Sequence, residues 1–182
     1  GKDIQNPLEI LHATESEQLN FSRHISRLTT FYKALNPEAE STEVTDFTNL
    51  LTEFYESIGL TPIVDGVERQ ISGLPPTAYP IFSEFLDYLN KCIAEMLQKE
   101  YNEAEMVLAK TRLETLYNIT GQISYIVKTY GNMFNGHSSI NNIMDEQIVV
   151  FNISGLKDMA TNVFAAQMTS LMALCWDNMV TN

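Results

Sequence analysis

The sequence predicts a mainly α-helical domain with one or two short strands and a long C-terminal helix. Apolar residues recur at three- and four-residue intervals in five segments, as on the buried face of an amphipathic helix. Prolines and glycines are concentrated between residues 60 and 80, outside those segments. Hydrophobic residues make up 45% of the 182-residue chain, which is ample for a buried core.

The first two helices are predicted to pair as an antiparallel hairpin. The first extends from about Glu15 to Leu35 and stops before Pro37. Ser41 or Thr42 is expected to cap the second, which should end at Gly59. Their apolar stripes are Leu19, Ile25, Leu28, Phe31, Tyr32 and Leu35 in the first helix, and Phe47, Leu50, Leu51, Phe54, Tyr55 and Ile58 in the second.

The segment from residue 60 to 80 is predicted to be a connecting loop because its prolines and glycines interrupt any long element. Ser83 is a candidate cap for the third helix, and the fourth is expected from about Glu103 to Tyr130. Gly121 lies inside the fourth helix, where glycine costs about 1 kcal/mol relative to alanine. It is expected to mark a close helix contact or a bend.

Residues 147–153, QIVVFNI, form the one strand that the pattern predicts. A single strand leaves its backbone groups unpaired, so it needs a partner, either the extended segment Ile4–Ile10 or residues outside the chain. Residues 156–180 return to helical spacing and are expected to form a buried helix. Its apolar part, Val163–Trp176, is shorter than the roughly 20 residues that a membrane span requires.

The charge balance disfavours binding to nucleic acid or to anionic lipid. Asp and Glu total 23 against 11 Lys and Arg, which gives a net charge of −12. Cys92 and Cys175 lie far apart in apolar helical patterns, which favours buried free thiols and a reducing, cytoplasmic compartment. No secretory signal precedes residue 10.

No motif predicts a catalytic, cofactor-binding or metal-binding residue. Residues 131–138, GNMFNGHS, have the glycine spacing of a phosphate-binding loop, but His137 stands where a lysine is needed and a helix precedes them. A helix that ends in a glycine turn is the favoured interpretation. His12, His24 and His137 have no metal-binding spacing.

The acidic residues near the helix starts are interpreted as solvated side chains that favour the helix dipole. These carboxylates are Glu15, Glu17, Glu38, Glu40, Glu43, Glu53 and Glu56. Methionines of the last helix favour core packing over an adaptable binding groove. They are Met159, Met168, Met172 and Met179.

The order of several short motifs resembles the ATPase region of the VirB4 family of type IV secretion and conjugation proteins. NPLEI at residues 6–10 is similar to the family's N-P-L-D/E-I segment, and YGNMFNG at 130–136 to the turn that closes its all-helical insertion. VVFNI at 149–153 is similar to the strand that re-enters the sheet, although Asn152 replaces an aspartate that is common there. These motifs span nearly the whole chain.

The resemblance implies that the chain is a segment of a larger motor. Residues 1–14 would be an extended part of a RecA-like ATPase domain, 15–136 the helical insertion, and 137–182 the strand and helix that return to that domain. The parent's Walker A loop would precede Lys2 and its Walker B carboxylates would follow Asn182. ATP and Mg²⁺ would therefore belong to the parent, with no cofactor in this segment.

The resemblance also implies the role. The parent would act as an oligomer at the cytoplasmic face of the membrane, and this segment would contact the rest of the ATPase, neighbouring subunits or other secretion-channel components, without catalysis of its own. Two alternatives remain: a self-standing helical adaptor or regulatory domain that binds a peptide or small apolar ligand in a groove, and a hydrolase that uses scattered carboxylates and His137. An exposed strand edge and apolar helix predict self-association of the isolated chain.

Overall fold

A computed structural model describes residues 4–139, 150, 153, 156 and 158–181 of the chain, and it confirms the mainly α-helical class. The predicted strand at 147–153 lies outside these residues, apart from Val150 and Ile153. Among the described helices, none is both long enough and apolar enough to cross a membrane. The helices are α1 Glu17–Leu35, α2 Ser41–Ser57, α3 Phe82–Gln98, α4 Glu103–Phe134 and α5 Thr161–Thr181.

Helices α1 and α2 form the predicted antiparallel hairpin. Near the start of α1, His24 Nε2 lies 2.7 Å from the Tyr55 hydroxyl near the end of α2. Near the end of α1, the ring of Tyr32 stacks on Phe47 with centroids 4.2 Å apart. These contacts pair residues in opposite order along the two helices, which establishes their antiparallel packing.

The two ends of α2 differ in how well the sequence predicted them. The helix begins at Ser41 and Glu40 occupies the N-cap position without a side-chain cap, so the prediction of Ser41 or Thr42 as the cap was wrong. Gly59 follows the helix as predicted. Its φ of 77° is in the left-handed region that glycine adopts at little cost, and its N–H donates to the carbonyl of Glu56.

Helices α3 and α4 form a second antiparallel hairpin. Helix α3 begins at Phe82, so Ser83 is not its cap. The backbone N–H of Ser83 instead donates to Asn135 Oδ1 at 2.8 Å, which places the start of α3 beside the end of α4. The ring of Phe31 from α1 contacts Phe82 and Phe134 together and joins the two hairpins.

The segment between α2 and α3 is more ordered than the sequence predicted. It contains an antiparallel pair, β1 Ile63–Val64 and β2 Val67–Glu68, followed by a 3₁₀ turn at Pro76–Ala78. Asp65 and Gly66 connect the strands with φ values of 52° and 76°. Positive φ at both positions is the type I′ geometry that Asp-Gly favours, so the signal for this hairpin was present in the sequence.

Helix α5 lies antiparallel against α1. The side chain of Asn162 donates to the carbonyl of Leu35 at 2.7 Å and so satisfies an acceptor at the end of α1. Val163 and Ala166 are fully buried in the core. The burial predicted for this segment holds for one face of the helix only.

Helix α4 extends one turn further than predicted and has a non-helical backbone at Tyr130, with φ −122° and ψ 20°. The predicted bend or close contact at Gly121 is not found, because the non-helical backbone of α4 lies at Tyr130 and a Cβ built at Gly121 meets no atom within 4 Å.

Replacing Gly121 with alanine is therefore expected to raise the free energy of unfolding by about 0.5–1 kcal/mol. Urea denaturation followed by far-UV circular dichroism measures this change. Gly73→Ala is the matched comparison, since Gly73 has a φ of 63° and a Cβ there would lie 3.2 Å from that of His12. This variant should be destabilised. If both substitutions changed the free energy of unfolding in the same direction, the prediction would be contradicted.

Candidate functional site

A cavity of about 840 Å³ lies between the N-terminal segment, α1, the loop at residues 70–76 and α5. Its volume is within the range of small-ligand sites. Ser138, from the segment that follows α4, completes its wall. The N-terminal lining includes most of the NPLEI motif, so the cavity includes residues that the family resemblance singled out.

The NPLEI motif forms a tight turn held by Asn6. The Asn6 side chain is buried, donates to the carbonyl of Pro80 at 2.8 Å and accepts from the N–H of Leu8 at 3.1 Å. The N–H of Glu9 donates to the carbonyl of Asn6, which closes the turn around Pro7. As a result Leu8 is fully buried while Glu9 faces the cavity.

Glu9 and Gln5 are the unusual polar residues of the cavity wall. Glu9 Oε2 and Gln5 Oε1 are buried and have no hydrogen-bond partner among the described residues. Burial raises the pKa of the Glu9 carboxyl, and this effect outweighs a hydrogen bond from Ser138 and the nearby His137. Two acceptor oxygens at one wall suit a ligand with a hydrogen-bond donor.

Glu17 anchors the 70–76 loop that lines the cavity, contrary to the prediction of a solvated side chain. Its carboxylate is buried and accepts from the backbone N–H groups of Ile71 and Ser72 at 3.0 and 2.9 Å. Burial alone would raise the pKa of this carboxyl, but hydrogen bonds from Ile71 and Ser72 outweigh burial and lower the pKa below its ordinary value. Glu17 therefore holds the 70–76 loop against the start of α1.

A cluster beside the cavity contains the residue types of a hydrolytic triad, namely Ser72, His12 and Glu17. Their arrangement differs from that of a triad. In a triad one imidazole nitrogen faces the serine and the other faces the carboxylate. Here His12 Nδ1 lies 2.9 Å from Ser72 Oγ and 3.7 Å from Glu17 Oε1, so both face the same nitrogen. Ser72 Oγ is fully buried and donates directly to Glu17 at 2.8 Å. This cluster holds the loop in place and leaves Ser72 inaccessible to a substrate.

His24 connects the motif to the helical hairpin. The Tyr55 hydroxyl donates its single proton to the carbonyl of Leu8 at 2.6 Å, so it must accept from His24 Nε2. His24 Nε2 therefore carries a proton, and the lowered pKa of His24 makes this the neutral Nε2–H form at neutral pH. Burial, with a smaller effect of Arg27, holds the pKa of His24 well below 6.5.

This neutral histidine predicts a loss of stability in mild acid. Above pH 6.5 His24 is neutral in both the folded and the unfolded chain, and as the pH falls below 6.5 only the unfolded chain takes up the proton. Between about pH 7.5 and about pH 5.5 the free energy of unfolding should fall by about 1 kcal/mol from this group. Urea titrations at the two pH values measure it. His24→Gln keeps a donor for Tyr55 and does not titrate, so an unchanged pH difference in that variant would contradict the assignment.

The other sequence candidates do not come together. Gly131 lies in the last turn of α4, so the segment with phosphate-loop spacing is not a strand-to-helix loop. His137 is exposed beside the cavity. Cys92 and Cys175 are free and only partly buried. Within the described ranges, no three His, Cys, Asp or Glu side chains group as metal ligands.

The prediction of core packing for the C-terminal methionines holds for Met159, which packs against the core, and was wrong for Met172 and Met179. Met172, Trp176 and Met179 are 67%, 65% and 68% exposed. Their spacing places them on one face of α5.

Glu43 also departs from the predicted solvation, because it is buried and accepts from the Tyr32 hydroxyl at 2.5 Å. The exposed stripe on α5, formed by Met172, Trp176 and Met179, has the same sequence spacing as a buried helix face. The buried carboxylates likewise have the spacing of solvated ones, so the local sequence could not reveal either departure.

Comparisons with known proteins bear on the whole chain. No protein-family model matches it. An uncharacterized protein of Bacillus anthracis is 32% identical over 186 aligned residues, which cover 97% of this chain and 27% of that relative. The structure of VirB4 of Thermoanaerobacter pseudethanolicus superposes with a TM-score of 0.72 at 21% identity. That match covers 97% of this chain and 58% of the solved chain. The chain therefore has a VirB4-like fold.

Proposed function

We propose that this chain is a segment of a conjugation or type IV secretion motor ATPase and serves as a helical interaction or oligomerisation domain without catalysis of its own. The likeness to VirB4 over 97% of the chain is the observation that carries the proposal. The parent would bind ATP and Mg²⁺ at the cytoplasmic face of the membrane, through motifs outside this segment. Its partners would be the rest of the ATPase, other copies of the parent and further channel components.

The points at which the chain would leave and re-enter the ATPase domain lie close together, which supports an insertion at residues 15–136. A domain inserted into another fold must leave it and return to it at neighbouring points. The N–H of Ser139 donates to the carbonyl of Ile4 at 3.0 Å, and the N–H of Asn6 donates to Ser138 Oγ at 2.9 Å. Residues 4–6 of the extended segment and residues 138–139 of the returning segment therefore meet beside the helical body. The predicted pairing of Ile4–Ile10 with the strand at 147–153 involves residues outside the described ranges and stays a prediction.

The exposed stripe on α5 supports an interaction role. Trp and Met are enriched at protein interfaces, where they bury a large apolar area. The opposite face of α5, at Val163 and Ala166, is already occupied by the core. Met172, Trp176 and Met179 are thus available to the remainder of the ATPase domain.

Two measurements test this proposal. The purified chain should neither hydrolyse ATP nor bind a fluorescent ATP analogue saturably, and turnover that survives further purification would contradict it. In the full-length parent, Trp176→Arg should impair assembly and ATP turnover. Tyr117→Arg is the control, because Tyr117 is half-exposed on α4 whereas α5 packs mainly against α1. Equal effects of both substitutions would refute an interface at α5.

The cavity of about 840 Å³ favours a second candidate, an adaptor that binds a peptide or small apolar ligand. The gene sequence on either side of this segment would distinguish the motor from the adaptor. A G-x-x-x-x-G-K-[ST] loop before this segment and an acidic strand after it would support the motor. A stop codon directly after Asn182 would support the adaptor.

A further inference from the structure

The first turns of α4 project beyond the core. Exposed side chains cover most of the helix circumference there, and Met106, Val107 and Leu108 are 54%, 69% and 74% exposed. Asn102 and Glu105 form a capping box that begins the helix without tertiary support. Consecutive exposed apolar residues at a helix start are unfavourable in water, so this surface calls for a partner.

A groove of about 440 Å³ lies beside this projection, between α2, α3 and α4, and we call it the distal groove. Leu50 from α2, Met96 from α3, and Leu108 and Leu116 from α4 are among its apolar lining residues. It lies apart from the 840 Å³ cavity and shares no lining residue with it. Apolar anchors of a bound helix commonly fill a groove of this kind.

The charges around the distal groove favour a basic partner. Four carboxylates and two cations line it: Asp46, Glu53, Glu95 and Glu105 against Lys99 and Arg112. Lys99 lies 5.5 Å from the centre of the Tyr101 ring, and Glu95 pairs with Lys91. The whole chain carries a net charge of −12, so its long-range field attracts cationic partners as well.

We propose that the distal groove binds an amphipathic helix of a partner protein, with apolar residues on one face and Lys or Arg beside them. The apolar face would cover Leu108 and the groove floor, and the basic residues would pair with Glu53 and Asp46 on the rim. Charge complementarity favours a basic helix over two other possible occupants, a second copy of the chain and a membrane surface. A second copy of the chain brings the same acidic charge, and an anionic membrane surface is repelled.

The test uses the whole chain and a labelled peptide of about 14 residues, roughly four helical turns, with leucines on one face and lysines on the other. Fluorescence anisotropy should show saturable binding that weakens with salt. Leu108→Ser and Glu53→Lys should each weaken binding about tenfold, through lost apolar burial and reversed charge. Both side chains are exposed, so neither substitution should unfold the chain.

Matched controls lie on the same helices outside the lining residues. Tyr117→Ser and Glu56→Lys should leave the affinity within about twofold of the original. A peptide of the same composition with scrambled order should bind more weakly. Equal affinity for both peptides, or equal loss in groove and control variants, would overturn the proposal. Absence of peptide binding, a groove-dependent dimer in sedimentation, or binding to anionic vesicles alone would overturn it as well.

Discussion

Phe85→Ala is expected to lower the free energy of unfolding by about 3–5 kcal/mol. Phe85 lies on α3, is fully buried, and contacts the rings of Phe47 and Phe54 from α2 at centroid distances of 6.2 and 5.2 Å. The ring of Tyr88 lies 6.5 Å away on the same helix. Truncation removes both the buried ring and its aromatic partners, and the cavity cannot collapse when three large rings surround it.

Urea denaturation followed by circular dichroism measures this loss, with Tyr117→Ala as the control. Tyr117 is half-exposed on α4, so its truncation should change the free energy of unfolding by about 0.5 kcal/mol or less. Phe85→Leu should fall between the original and the alanine variant because it keeps most of the apolar volume. A loss below 1 kcal/mol for Phe85→Ala would show that α3 docks through other contacts.

The helical body was predictable because periodicity records which face of a helix is buried. The stripes of α1 and α2 supply much of the core, including Tyr32 and Tyr55, although Leu19 is 44% exposed. Helix starts were less predictable, since Ser41 and Ser83 are good capping residues that the backbone does not use in that way. Capping propensity is weak enough for tertiary contacts to override it.

The walls of the cavity were not predictable, because they depend on residues far apart in the chain. Glu17 stands in the first turn of a helix, where solvated carboxylates are common. Its partner loop lies 54 residues away, and only the folded chain brings the backbone of Ile71 to it. Glu9 is partly buried for the same reason, because the distant Ser138 contacts its carboxylate. Long-range pairing of polar groups leaves no periodic signal in the sequence.

Glu17→Ala is expected to lower the free energy of unfolding by about 3 kcal/mol at neutral pH. The substitution leaves the buried N–H groups of Ile71 and Ser72 and the Ser72 hydroxyl without their acceptor. Asn20 also loses a contact, at 3.5 Å, and the 70–76 loop loses its attachment to α1. Thermal and urea unfolding measure the loss, and amide hydrogen exchange at residues 71–72 locates it.

The pH dependence separates this electrostatic role from simple packing. Because the folded-state pKa of Glu17 is lowered, its contribution is fully present above pH 4.5 and is lost as the pH falls through the folded-state pKa. The difference between the original chain and Glu17→Ala should therefore shrink in acid. Glu15→Ala is the matched control, two residues earlier and exposed, with an expected effect of about 0.5 kcal/mol or less. A deficit for Glu17→Ala that stays constant into acid would mean that the side chain stabilises the loop by packing, and not as a charged acceptor.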